Sequence, residues 1–234
     1  MKVLIVLTSH DQLGDTGMKT GFWLEEFAAP YYVLRDAEVE ITVASPKGGQ
    51  PPVDPKSELP EWQTETTRRF RADPIAQKEL ANTKKLSEIY ADNFDAVFYP
   101  GGHGPMWDMP DNPVSIALLE AFLKAGKAIA GVCHGPAAFV NVRRPDGEYM
   151  IKGKCVTAFS NSEERAVHLD KVVPFLLEDK LKERGALYSK GPDFSCCIQV
   201  DGTLVTGQNP ASSGPAAEAL IKVLRSAVGG PVAA

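Results

Sequence analysis

The sequence predicts a three-layer α/β fold in which helices cover both faces of a mostly parallel sheet. Short, continuously apolar runs alternate along the chain with longer segments of helical periodicity. Strands that are buried on both faces have this composition, and the helices between them form right-handed crossovers. One strand ends at a cysteine between two glycines, Gly131-Val-Cys-His-Gly135, which predicts a nucleophile elbow at the carboxyl edge of the sheet.

The composition is that of a globular protein with a mildly acidic surface. The chain has 234 residues, of which 44% are hydrophobic, and a net charge of −5. This charge argues against nucleic acid and anionic membranes as main partners. No apolar run approaches the roughly 18 residues of a membrane span, and no signal-peptide cleavage site follows Met1–Thr8. The four cysteines match neither a disulfide framework nor a zinc site, so we expect a cytoplasmic protein.

The N-terminal half supplies two strands, a long helix and an insertion. Helical periodicity extends over Thr20–Ala37, with Pro30 inside it. Proline has no N–H, so the carbonyl of Glu26 loses its helical partner, and a kink is expected there. The polar stretch at about 45–93 is predicted to be an insertion that covers part of the sheet edge. The two predicted strands of this half are Val3–Leu7 and Val39–Ala44.

The rest of the chain continues the alternation of strands and helices. A strand from Asp95 runs into the glycine loop Gly101–Gly104, and the helix Asn112–Gly126 follows, with a capping asparagine at its start. The strand Lys127–Val132 then leads to the elbow. A hairpin with an Asp-Gly turn, Phe194–Thr206, and a last helix complete the chain. We therefore expect a single domain over 1–228 and a frayed tail at 229–234.

Cys133 is the candidate nucleophile, because the predicted elbow pushes its side chain over the sheet edge. A small-residue helix predicted from Pro136 would place its N-terminus behind the sulfur and favour a thiolate. His134 could act through its side chain as a base, or through its backbone N–H as a donor to an oxyanion. Gly102 and His103 follow another strand, so we expect them at the same edge, binding a substrate oxygen.

Three glutamates are candidates for the acid of this site. Glu26 lies in an apolar helix, where burial should raise its pKa and allow it to share a proton with Cys133. Glu163 and Glu164 are typical helix-start acids, and only their position in space could bring one of them to orient His134. Trp23, Trp62 and Trp107 are interpreted as packing residues, although Trp23 and Trp107 flank candidate site loops.

These segments together resemble the ThiJ/PfpI superfamily, and within it the branch that contains heat-shock chaperone-like glyoxalase III enzymes. The cysteine elbow alone would indicate only the superfamily, whereas the segments around Glu26, the Gly-His-Gly loop and the Gly-Gln-Asn-Pro stretch indicate the branch. The matching segments are Thr20–Glu26 with Pro30, Pro52–Pro55, Pro100–Gly104, Ala130–Pro136, Phe159–Glu164 and Leu204–Ser213.

The resemblance implies a flavodoxin-like, class I glutamine-amidotransferase-like fold and a role for each matching residue. Cys133 is the implied nucleophile and His134 its partner, while Glu26 is the acid that hydrogen-bonds the cysteine. The third member of the triad falls on Glu164, with Glu163 as the neighbouring alternative. The implied reaction is conversion of methylglyoxal to D-lactate through a cysteine hemithioacetal, without glutathione, a metal or another cofactor. Homodimers, holdase activity toward unfolded client proteins and protein deglycation are further implications.

Three other functions use the same thiol. An amidotransferase of this fold needs a late histidine with a nearby acid, but His168 is the last histidine and precedes the hairpin. A hydrolase would have to pair Asp146 with His168, and too little of the chain lies between them. A redox sensor or non-enzymatic stress chaperone, with Cys133 as an oxidisable thiol, remains the principal alternative.

Overall fold

The chain is built around a seven-stranded sheet. A computed structural model describes residues 1–228, so the predicted tail at 229–234 lies outside the described residues. The strands are β1 (Lys2–Val6), β2 (Glu40–Ser45), β3 (Lys84–Lys85), β4 (Ala96–Tyr99), β5 (Ala128–Val132), β6 (Cys155–Val156), β7 (Leu187–Tyr188), β8 (Ile198–Asp201) and β9 (Leu204–Gly207).

The order of the strands places the elbow strand near the middle of the sheet. The sequence of neighbours is β3-β2-β1-β4-β5-β9-β8, and β6 and β7 form a separate two-stranded sheet. Neighbours in the large sheet are parallel, except for the hairpin of β8 and β9. The predicted mostly parallel sheet is therefore confirmed. The carboxyl ends of β4 and β5 lie side by side, which brings the loops that follow them to one edge.

Helices cover both faces of this sheet, as predicted. Along β1, Leu4 and Val6 belong to one buried cluster and Val3 and Ile5 to the other. The helices are α1 (Leu24–Asp36), α2 (Glu65–Ala72), α3 (Pro74–Ala81), α4 (Pro105–Asp108), α5 (Pro113–Lys124), α6 (Asn161–Ala166), α7 (Leu177–Glu183) and α8 (Ser213–Val228). Helices α1 and α8 pack on the second face, and α5 and α7 pack on the first.

Helix α1 begins four residues later than the sequence predicts, at Leu24 instead of Thr20. The preceding residues are held extended, because Phe22 forms an isolated parallel bridge with Val53. The Phe22 N–H donates to the carbonyl of Pro52 at 2.9 Å. From Leu24 the helix runs through Pro30 to Asp36. The bridge ties the start of α1 to the inserted segment, next to the site.

The insertion also differs from expectation in detail. It carries the short helices α2 and α3, and then β3, which pairs with β2 and extends the large sheet. The inserted residues therefore build the edge of the sheet in addition to covering it. Asp73 separates the two helices, and its side chain accepts hydrogen bonds from the N–H groups of Ile75 and Ala76 at the start of α3.

The predicted helix after the elbow is a 3₁₀ helix. It covers five residues, Gly135–Phe139, begins one residue before Pro136, and all five residues are buried. Gly135 is required at its start, because a Cβ there would lie 2.0 Å from the carbonyl oxygen of Tyr99 in β4. This contact presses the turn after the elbow against the neighbouring strand.

We expect Gly135→Ala to lower the free energy of unfolding by about 2–4 kcal/mol, since the methyl group forces β4 and the elbow apart. Gly214→Ala in α8 is the matched control, because a Cβ there meets no atom within 4 Å. The control should leave stability unchanged or raise it by about 0.5–1 kcal/mol. Urea unfolding of both variants measures this, and equal stability of the two would contradict the packing account.

Candidate active site

Cys133 stands at a strained turn directly after β5. Its φ of 57° lies in the left-handed region, which is costly for a residue with a Cβ. Two backbone hydrogen bonds hold it there: the Cys133 N–H donates to the Gly207 carbonyl at 2.9 Å, and its own carbonyl accepts from the Phe159 N–H at 3.0 Å. The surrounding strands therefore impose the conformation that directs the sulfur to the edge of the sheet.

His134 connects the sulfur to a carboxylate. Its Nδ1 lies 3.3 Å from the Cys133 sulfur, and its Nε2 lies 2.7 Å from Oε2 of Glu164. An ionised carboxylate only accepts hydrogen bonds, so Nε2 carries the proton and Nδ1 is free to accept one from the thiol. Burial lowers the pKa of His134, and the nearby His103 lowers it further. A neutral imidazole of this tautomer can serve as the base for Cys133.

The two adjacent glutamates have different positions. Glu164 faces His134, whereas Glu163 closes a capping box at the start of α6 with Ser160. The remaining oxygen of Glu163 accepts hydrogen bonds from the Asn209 amide and the Phe194 N–H, each at 2.8 Å. Glu163 is thus fully engaged in holding loops together, and Glu164 is the acid in contact with the histidine.

His103 lies against Glu164, a contact that the sequence did not predict. Its Nε2 is 2.7 Å from Oε1 of Glu164, so one carboxylate receives two imidazoles. Burial alone would raise the pKa of Glu164, but His134 and His103 outweigh it and hold that pKa well below its usual range. Ligand atoms of these three residues lie within 4.8 Å of one another, a group that could hold a metal ion. Their mutual hydrogen bonds already account for the arrangement.

Glu26 is fully buried beside the sulfur. The Gly101 N–H donates to its Oε2 at 2.7 Å, while Oε1 has no hydrogen-bond partner among the described residues. Gly101 permits this approach, because a Cβ there would lie 2.7 Å from the same Oε2. Burial raises the pKa of Glu26 to about 8, although Cys133 and the Gly101 N–H both favour the carboxylate. The carboxyl group is therefore protonated at neutral pH.

Cys133 and Glu26 behave as one titrating pair. Burial raises the pKa of the Cys133 thiol, and a negative charge on Glu26 raises it further. The two groups cannot both be ionised at neutral pH, so the pair retains a proton that either atom can hold. The expectation that a helix N-terminus favours the thiolate is wrong, because only the short 3₁₀ segment follows. Among nearby donors, the Gly102 N–H lowers the pKa of the thiol.

A cavity of about 280 Å³ opens above the sulfur. Trp23 and Trp62 line it with their rings edge to face, 5.3 Å between centroids, so their interpretation as packing residues is wrong in this respect. Trp107 instead stacks on His10 at 5.2 Å and does not line the cavity. The lining residues are Trp23, Glu25, Glu26, Trp62, Thr64, Gly102, His103, Cys133, His134, Phe159, Val167, Phe194, Pro210 and Ala211.

The aromatic part of the lining was not found from the sequence. Phe159 packs on His134 with 4.5 Å between ring centroids, and Phe194 packs on Phe159 at 6.3 Å. Phe159 lies just after the short strand β6, and Trp62 lies in the polar inserted stretch, so local periodicity marked neither side chain as part of a cavity wall. Their role depends on the loop contacts that bring them over Cys133.

The fold and the site together define an α/β protein with a buried cysteine at a nucleophile elbow, a neighbouring histidine and two acids. The chain belongs to the DJ-1/PfpI family, whose model matches residues 18–222. A glutathione-independent glyoxalase of Saccharomyces cerevisiae, HSP31, is 32% identical over 237 residues, which cover 96% of this chain and 98% of the relative.

Two solved structures extend the similarity to the whole fold. Rapid Encystment Protein 24 kDa of Francisella tularensis has a TM-score of 0.91 and 38% identity, covering 95% of this chain and 98% of its own. Glyoxalase III of Candida albicans has a TM-score of 0.88 and 29% identity, covering 95% and 97% respectively. Within residues 1–228, no helix has the length and apolar character needed to cross a membrane.

The two glutamates of α6 should separate in their effects when each is changed to glutamine. Glu164→Gln removes the charge that supports His134, so we expect slower alkylation of Cys133 by iodoacetamide, whereas Glu163→Gln should leave the alkylation rate close to that of wild type. Glu163→Gln disturbs the capping box, and we expect a loss of about 1–3 kcal/mol, or roughly 2–10 °C in Tm. Mass spectrometry of the Cys133 peptide and thermal unfolding measure these quantities. The reverse pattern would show that Glu163, not Glu164, supports the histidine.

Proposed function

We propose that this protein is a glutathione-independent glyoxalase that converts methylglyoxal and water to D-lactate. The observation that carries the proposal is the buried Cys133–Glu26 pair at the base of the cavity, with His134 held by Glu164 on the other side of the sulfur. Relatives with this activity in their names match nearly the full length of the chain. The pair supplies a nucleophile and a movable proton without an added thiol.

The first step is addition of the Cys133 sulfur to the aldehyde carbon. In the reactive form, the proton that the pair shares lies on Glu26 and the sulfur is a thiolate. Its electron pair forms the carbon–sulfur bond, and the former carbonyl oxygen takes the negative charge. The Gly102 N–H is close enough to the sulfur to lower the pKa of the thiol, and we assign it as a donor to this oxygen. Glu26 then gives its proton to the oxygen, which completes the hemithioacetal and leaves a buried carboxylate.

The second step moves hydrogen between the two carbons. An ionised Glu26 with a pKa of about 8 is a much stronger base than an ordinary carboxylate. It removes the proton from the sulfur-bearing carbon, and the electrons form an enediolate. The hydroxyl proton on the first carbon then moves to the oxygen of the second, so that the first oxygen can become the thioester carbonyl. Return of the proton to the neighbouring carbon leaves that carbon as an alcohol and the first carbon as a thioester, so one carbon is reduced while the other is oxidised.

The last step is hydrolysis of the thioester. His134, with Glu164 behind it, accepts a proton from water, and the oxygen adds to the thioester carbon. The carbon–sulfur bond breaks, the thiol is restored and D-lactate leaves. His103 contacts the other oxygen of Glu164 and keeps that carboxylate in place during the step. The reaction consumes one water, and the residues of the site supply its acid, base and nucleophile.

The proposal also covers the cellular location, the oligomeric state and the secondary functions of the enzyme. We place it in the cytoplasm as a homodimer, with holdase activity toward unfolded clients and deglycation of proteins as secondary functions. The acidic charge of the chain disfavours nucleic acid as a partner. Size-exclusion chromatography with light scattering measures the oligomeric state, and a monomer at micromolar concentration would remove the dimer from the proposal.

The cysteine is the most direct test of the activity. We expect Cys133→Ser to lose D-lactate formation from methylglyoxal by at least about a thousandfold, since a hydroxyl is a far weaker nucleophile at neutral pH. Cys155→Ser is the control, because that cysteine is exposed in β6 and away from the cavity. An enzyme-coupled D-lactate assay without glutathione measures both. Turnover by Cys133→Ser at the wild-type rate would refute the scheme, provided that circular dichroism shows a native fold.

A further inference from the structure

The cavity above Cys133 is larger than methylglyoxal requires. Its volume of about 280 Å³ approaches the lower limit of about 300 Å³ for pockets that hold drug-sized ligands. Methylglyoxal carries only a methyl group on its ketone carbon, so most of this space would stay without substrate contact. The residues that line the remaining space therefore indicate which substituent on the ketone carbon the site accepts.

Two aromatic pairs dominate that part of the lining. Trp23 and Trp62 meet edge to face at 5.3 Å, and Phe159 and Phe194 meet at 6.3 Å. Aromatic rings of a ligand bind well in such surroundings, through burial of apolar area and edge-to-face contacts. These walls match an aromatic substituent better than a methyl group.

The position of Trp62 is built into the fold. The hydroxyl groups of Thr64 and Thr66 both donate to the Glu25 carboxylate in the first turn of α1. This connection holds the inserted segment, which carries Trp62, over the start of α1. Trp23 is fixed from the other side, because its backbone N–H donates to the Gly101 carbonyl at 3.2 Å. The two tryptophans are thus anchored independently and need no ligand to bring them together.

The described lining of the cavity offers no lysine or arginine to a negatively charged substituent. Among the described lining residues, none is a lysine or arginine, and the acidic ones are Glu25 and the protonated Glu26. A substrate with a carboxylate or phosphate on its substituent would lose solvation without gaining a cationic partner. The site therefore selects for an uncharged, apolar group.

From these features we infer that the preferred substrates are 2-oxoaldehydes with an aromatic substituent on the ketone carbon, held by Trp23 and Trp62. The inference rests on the proposed glyoxalase function and specifies its substrate class. With phenylglyoxal, the sulfur bonds to the aldehyde carbon, which is oxidised to the thioester while the ketone carbon is reduced to an alcohol. Water then cleaves the carbon–sulfur bond, and the product is mandelate.

The test compares kcat/KM for phenylglyoxal and for methylglyoxal in the same preparation. Wild type should favour phenylglyoxal by at least about tenfold, and Trp62→Ala should lower that ratio by about tenfold through a higher KM for phenylglyoxal. The intrinsic reactivity of the two aldehydes cancels when the ratio is compared between variants. A phenylglyoxal with a para-carboxylate should react at least about tenfold more slowly than phenylglyoxal itself.

Leu59→Ala is the matched control, because Leu59 is exposed in the same inserted segment and does not line the cavity. Its substrate ratio should equal that of wild type. A wild-type preference for methylglyoxal, or an unchanged ratio in folded Trp62→Ala, would overturn the inference and leave the glyoxalase function in place. If Trp62→Ala fails to fold, the wild-type ratio and the carboxylate probe still decide. Absence of turnover with both aldehydes would instead overturn the proposed function.

Discussion

The site depends on one constraint: a carboxyl group and a thiol are buried together with too little solvation for two negative charges. Glu26 is completely buried in the first turn of α1, and the thiol of Cys133 lies beside it. Burial keeps a proton on the pair at neutral pH, because ionising both groups would place adjacent charges in an apolar interior. Unlike an exposed cysteine, this one always has a proton donor within reach.

The rest of the structure maintains that arrangement. Hydrogen bonds to Gly207 and Phe159 hold Cys133 in a left-handed conformation, and the glycines around it allow the close backbone contacts that this position needs. Glu164 holds His134 in place beside the sulfur, while Glu163 accepts hydrogen bonds that connect the surrounding loops. Neighbouring carboxyl groups of the same helix thus have separate tasks, one in chemistry and one in stability. This division explains why two acids are adjacent at the start of α6.

The sequence predicts the fold well, because a strand that is buried on both faces of the sheet must be apolar at every position. Val3–Leu7 is continuously apolar, and the sheet buries alternate residues of it in two clusters. Glu26 was also predictable, since an acid within an apolar helix indicates burial. By contrast, the contact between His103 and Glu164 joins distant loops, and Trp62 reaches the cavity through a segment without periodicity. Such features arise from tertiary contacts between distant segments, and the local pattern of apolar and polar residues does not predict them.

The proposed chemistry requires Glu26 to carry a proton at neutral pH, and infrared spectroscopy detects that proton directly. A difference spectrum between wild type and Glu26→Gln isolates the carbonyl stretch of a protonated carboxyl group from the carboxylate bands. We expect a protonated band at pH 7 that is lost as the pH rises through about 8. A spectrum with only carboxylate bands for Glu26 at pH 7 would show that the buried pair does not hold its proton on this group.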